Sequence, residues 1–200
     1  MPMLTRRSCT WGILAVVGGL ASACVAPLPP APVYPDISFS NEPPFQLGVA
    51  SIEVDDEYLP PLKPPNVDHQ FPVRIAAAAA RWAHDRLRAV GTERTARVII
   101  KDASAIATDL PKTEGLKGLF TNDQAVRFDA RVEMIVEIRD ARGLPLASVS
   151  ATAERSRSVT NDITLNDRDR VFYEMTKALM QDEDATLEKN IRQYLQIYIQ

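Results

Sequence analysis

The stretch "RFDARVEMIVEIRD", residues 127 to 140, constrains the fold more than any other part of the chain. Phe128, Ala130, Val132, Met134, Val136 and Ile138 alternate with a charged set interrupted by Ile135. Side chains of a strand point to opposite faces in turn, so the pattern describes one buried face and one wet face of an antiparallel sheet. "ARGLP" (141–145) supplies a turn, and "LASVSATAERSRSV" (146–159) returns with Ala147, Val149, Ala151 and Ala153 on one face. The two arms predict a long hairpin.

The rest of the chain must cover the apolar face of that hairpin. "PVRIAAAAARWAHDRLRAVG" (72–91) predicts a helix, with Pro72 in its first turn, five consecutive alanines and Gly91 as the stop. Val73, Ala76, Ala80, Ala83, Leu87 and Val90 recur at helical spacing. A second helix is expected from Thr164 or Asn166 as cap, with Val171, Met175, Ala178, Leu179, Leu187, Ile191, Tyr194, Leu195 and Tyr198 on its apolar side. "QDED" (181–184) is expected to bend or interrupt it. "FQLGVASIEV" (45–54) and the start of "TARVIIKDASAIATDLP" (95–111) read as strands, and "DDEYLPPLKPPNVDHQFP" (55–72) as a long connection. The expected fold class is α+β in the order β-α-β-β-β-α, with about four antiparallel strands and helices on one face.

Ahead of this domain, residues 1–23 have the order of a secretory signal: Arg6 and Arg7, the apolar run "WGILAVVGGLASA", and small residues at its end. The run is too short for a bilayer core of about 30 Å. "TRRS" has the arginine pair of a twin-arginine signal, but Cys9 and Thr10 stand where that signal has apolar residues, so an ordinary export signal is the simpler reading. At the junction two cleavage readings compete. "ASA" (21–23) satisfies the small-x-small rule of ordinary signal peptidase, whereas Cys24 directly after it resembles a bacterial lipobox, with Ala21 where Leu is usual. In the second reading Cys24 is the lipidated first residue of the mature protein. The other cysteine, Cys9, lies inside the signal, so no disulfide, cysteine nucleophile or thiolate metal site is expected in the folded part. "VAPLPPAPVYPDISFSNEPP" (25–44) is dense in proline and reads as an extended tether. Residues 45–200 then form a single domain.

Without Arg6 and Arg7 the bases fall from 23 to 21 against 26 acids, a net charge of −5. That sign disfavours nucleic-acid binding. The organisation of a lipobox-like cysteine, a proline tether and a small α+β domain resembles envelope lipoproteins of Gram-negative bacteria. It is similar to the ABC-type transport auxiliary lipoproteins and the lipopolysaccharide-assembly lipoproteins; "RWAHDRL" (81–87) resembles an "RWA" stretch of the former, although here it lies inside an alanine-rich helix. The resemblance implies a non-enzymatic accessory protein of envelope transport or assembly, facing the periplasm with an envelope protein as partner. Val25, where an inner-membrane retention signal has Asp, implies the outer membrane.

No catalytic constellation is expected. His69 and His84 each lie beside an acid, Asp68 and Asp85, but nothing in the spacing brings them together. Ser148, Ser150, Ser156 and Ser158 lack a nucleophile-elbow pattern, and "VDDE" (54–57) and "QDED" lack the calcium-loop pattern. No metal and no cofactor is expected. Candidate interface residues are Leu119 and Phe120 in "GLKGLF", Ile135 on the charged strand face, and Trp82 on the first helix. Leu119 and Phe120 fit a lid over the core end better than a partner contact, and Trp82 fits core edge or interface. The alternative function is a periplasmic binding module for a small or lipidic ligand held between sheet and helices.

Overall fold

The computed structural model describes residues 32–111, 124–160 and 162–200. It is an α+β fold of two helices on a mixed sheet. The long hairpin is present as β6 (Gln124–Arg139) and β7 (Pro145–Thr160), paired along their whole length. On the other side of β6, β4 (Thr95–Asp102) pairs with its second half and β5 (Ala105–Asp109) with its first, both antiparallel. β4 and β5 are therefore two pieces of one line, offset where the register shifts after Ile100. β2 (Ser51–Asp56) forms the far edge and runs parallel to β4.

That parallel pair corrects the all-antiparallel expectation. Parallel neighbours need a crossover, and the chain makes it through α1 (Ile75–Arg86). The strand expected over 45–54 is divided at Gly48 into β1 (Phe45–Leu47) and β2. The helix expected to reach Gly91 stops at Arg86, where Leu87 turns extended (φ −117°, ψ 139°) and opens β3 (Leu87–Ala89), which pairs parallel with β1. A Cβ at Gly91 would stand 2.5 Å from the carbonyl carbon of Gly48 and 2.7 Å from the nitrogen of Val49. Both are main-chain atoms in a paired ribbon and have no room to yield. Gly91→Ala is expected to lower stability by about 1–3 kcal/mol, read in a urea melt, from overpacking alone.

The buried face of α1 is Ile75, Ala78, Ala79, Trp82, Ala83 and Arg86. It differs by a rotation from the expected face, because Trp82 and the apolar stem of Arg86 belong to it and Val90 does not. α2 (Leu165–Tyr194) runs 30 residues without a break. Thr164 caps it, accepting from the Asp167 N–H at 3.1 Å. "QDED" does not interrupt the helix, because its acids point to different partners: Asp182 pairs with Arg155 on β7, Glu183 enters the core, and Asp184 meets α1. Thr176 donates to Val73 O near the start of α1, and Asp184 and Glu188 meet Trp82 and Arg86 near its end, so the two helices run in the same direction. Each large side chain closed between helices and sheet, such as Phe172, Leu179, Leu187 and Ile191, contributes about 1.5–3 kcal/mol by burial.

The segment expected to be a free tether as far as residue 44 is packed from Tyr34 onward. Tyr34 lies 5.0 Å from the Tyr173 ring, Ile37 and Phe39 are buried, and Asp85 accepts from Ser38 Oγ at 2.7 Å and from Phe39 N–H at 2.8 Å. Apolar side chains spaced between the prolines give this stretch enough area to dock. Burial pushes the Asp85 carboxyl up, but the Ser38 and Phe39 donors outweigh it and the net shift is downward. Its contribution to stability is therefore present above the ordinary carboxylate range and lost as pH falls through the lowered value. Asp85→Ala is expected to cost about 1.5–3 kcal/mol and to expose residues 34–43 to limited proteolysis.

Candidate functional site

The most elaborate polar site lies where α1, α2 and the docked segment meet. Trp82 and Arg86 are one helical turn apart and both are fully buried. Arg86 donates through Nε to Asp184 Oδ1 at 2.8 Å, through Nη2 to Glu188 Oε2 at 2.6 Å, and through Nη1 to Pro43 O at 2.6 Å. Its guanidinium also stands 5.1 Å from the Phe45 ring. Trp82 Nε1 donates to the same Asp184 oxygen at 2.7 Å. Trp82 is thus a core residue with its one polar atom satisfied, which corrects its assignment as a candidate interface. A guanidinium with fixed donors on three separate elements fixes their relative placement. Sequence reasoning missed Arg86; the signal for it was the i, i+4 spacing from Trp82 on the buried phase of α1.

On the open face of the sheet, charges are matched across strands. Arg97 pairs with Asp55 and with Glu57 at 3.1 Å, and Lys101 with Glu57 at 2.7 Å. Arg131 reaches Glu154, Asp102 at 3.2 Å and Glu133 at 2.9 Å. Lys101, through its hydrogen bond, holds the Glu57 carboxyl below its usual range. Ile135 sits half-buried among them, opposite Ile99 in the register, where the two make a small apolar spot. Ion pairs of both signs on a wet face are the ordinary cross-strand support of a sheet.

A second polar nook lies at the end of β2. Asp68 is 6% exposed, and its Oδ1 and the Tyr58 hydroxyl are buried without a hydrogen-bond partner among the described residues. They line a space of about 50 Å³ together with Asp56 and Arg74. Burial, reinforced by the Asp68 charge, pushes the Tyr58 hydroxyl strongly up, so it remains a neutral donor. The space suits one or two water molecules. His69 follows Asp68 in the turn 68–70, while His84 lines a separate groove beside Asp36. Among the described residues no group of three or more His, Cys, Asp or Glu side chains is placed to hold a metal ion.

Glu183 is the remaining buried ionisable group. It is 0% exposed and both carboxylate oxygens lack a hydrogen-bond partner among the described residues. Burial raises its pKa to about 8, Glu133 adds to the shift, and the nearby Met134 main chain and Arg131 oppose it without cancelling it.

Exposed apolar side chains gather at the two ends of the fold. One end, beside the start of α2 and the loop after β2, carries Val33, Leu59, Leu62 and Leu165. The other, at the β6–β7 turn and the end of α2, carries Leu144, Leu146, Tyr194 and Ile197. An open groove of about 710 Å³ at this second end is lined by Glu53, Glu93, Arg94, Arg139, Asp140 and Leu146. Cys24, Leu119 and Phe120 lie outside the described residues. No helix among the described residues is long and apolar enough to cross a membrane.

No family model and no curated protein matches the chain. Among solved structures, a minor lipoprotein from Acinetobacter baumannii is similar with a TM-score of 0.36 and 13% identity, over 74% of this chain and 96% of that one. The PelC dodecamer from Paraburkholderia phytofirmans is similar with a TM-score of 0.22 and 14% identity, over 68% of this chain and 88% of that one. At such TM-scores the likeness carries no inference to this chain.

Proposed function

We propose that this protein is a lipid-anchored, non-catalytic domain of the bacterial envelope, held at a membrane through Cys24 and facing the periplasm as an accessory subunit of a transport or assembly system. The observation that carries the reading is the run "LASACVAPLPP": a short apolar segment, small residues, a lone cysteine and then prolines. Within this reading, the packing of Tyr34 and the residues after it leaves a short spacer. Eight residues, 25–32, separate Cys24 from Val33, about 25 Å when extended in the polyproline manner. Val25 favours the outer membrane within this reading, and an envelope protein is the partner it requires.

The test is metabolic labelling with an alkynyl fatty acid, followed by membrane fractionation of the wild type and of Cys24→Ser. The wild type is expected to be labelled and to sediment with membranes, and the variant to be unlabelled and soluble. Identical soluble behaviour of both would overturn the anchor. Hydrolysis of an envelope substrate by the purified protein, lost on changing His69 or His84, would overturn the non-catalytic assignment.

A further inference from the structure

We propose that the end of the fold carrying Val33, Leu62 and Leu165 rests against the bilayer surface, with the β6–β7 turn pointing away from it. The proposal rests on the anchored reading above and adds an orientation to it.

Two observations converge on this end. The first is where the chain toward Cys24 departs. Tyr34 packs on Tyr173, and its hydroxyl donates to Asn166 O at 3.4 Å, so the chain toward Cys24 departs from the N-terminal part of α2. The second is apolar exposure at the same end: Val33 is 93% exposed, Leu165, the first residue of α2, is 70% exposed, and Leu62 is 65% exposed. Leu62 lies in the loop that leads from β2 to Phe71, whose ring is stacked 4.2 Å from Phe172 near the start of α2. Single exposed leucines are ordinary, but leucines on loop and helix tips beside an anchor point are placed to enter the acyl boundary of a bilayer.

Length decides which end is held near the lipid. α2 runs 30 residues, about 45 Å at 1.5 Å per residue, from Leu165 to Tyr194. A spacer of about 25 Å is too short to carry Tyr194, Ile197 and the β6–β7 turn to the same surface while the fold stands on end. With the fold standing on its Val33 end, the apolar residues at the far end are clear of the bilayer.

The experiment uses the mature, lipidated chain in vesicles of phosphatidylethanolamine and phosphatidylglycerol. Since Cys24 is the one cysteine of the mature chain and is blocked by lipid, single variants Leu62→Cys, Leu165→Cys, Leu146→Cys and Ile197→Cys each take one environment-sensitive fluorophore. Quenching by nitroxide-labelled lipid is expected to be at least threefold stronger at positions 62 and 165 than at 146 and 197. Equal quenching at all four, or stronger quenching at 146 and 197, would overturn the orientation. The same four positions are read in a Cys24→Ser chain bound through a histidine tag placed directly before residue 24 to nickel-chelating lipid. A mass spectrum without lipid on Cys24 refutes the anchor alone, whereas the quenching pattern on nickel-lipid vesicles supports or refutes the orientation independently.

Discussion

Glu183→Met raises the stability of the domain at pH 7.5 by about 1–3 kcal/mol, the cost of burying a polar group that has no hydrogen-bond partner. In a domain of this size each kcal/mol moves the melting temperature by about 2–4 °C. The cause is the placement of an unpartnered carboxyl between α2 and the sheet. Its pKa is raised from 4.5 to about 8, so the folded protein keeps a proton that the unfolded chain releases above about pH 4.5. Where the folded state binds more protons, stability falls with rising pH, so the wild type loses stability between about pH 4.5 and 8 and levels off above. The variant lacks this slope. Thermal melts of both proteins from pH 5 to 8.5 check it: the two curves separate as pH rises. A wild type that gains stability across this window, or a variant less stable at pH 7.5, would show that the carboxylate has a partner in solution.

Arg86→Met works in the opposite direction, with an expected loss of about 3–5 kcal/mol, because it leaves Asp184 and Glu188 facing each other's charge without the buried cation between them. Arg86→Lys is not expected to restore the loss. A single ammonium cannot reproduce three donors aimed at Asp184, Glu188 and Pro43 O from one plane. A denaturant melt gives the magnitude. Trp82 gives a local readout, since its indole N–H shares the Asp184 oxygen and it is the one tryptophan after the signal region. A loss below about 1 kcal/mol, or full rescue by lysine, would mean that the cluster is solvated rather than closed.

The contrast between these two residues explains how much of the fold the chain displays. β6 and β7 are legible because alternation needs only local reading, and every predicted inward residue from Phe128 to Ile138 is buried. The division of 45–56 at Gly48, the stop of α1 at Arg86 and the docking of Tyr34 to Pro43 are not legible locally. Each depends on a distant partner: β3 for β1, β4 for β2, and Asp85 for Ser38. The polar sites divide the same way. Mixed charges on one face of β6 announce cross-strand pairs, while Arg86 and Glu183 look like ordinary solvated helix residues. Only the helical phase of Trp82 and of Leu179, Met180 and Leu187 shows that both point inward.

The docked segment also sets how the domain bears load. From Tyr34 at the start of α2 the chain runs alongside α1 to Pro43 at the Arg86 end, touching Tyr173, Arg81, Asp85 and Arg86 in turn. A pull on the chain before Val33, directed away from that end, acts along this line rather than across it. The contacts then share the force in shear and must fail together, instead of opening one after another as a peeled strip would. Arg86, the buried residue at the inner limit of that line, is the rivet against which the pull is finally resisted.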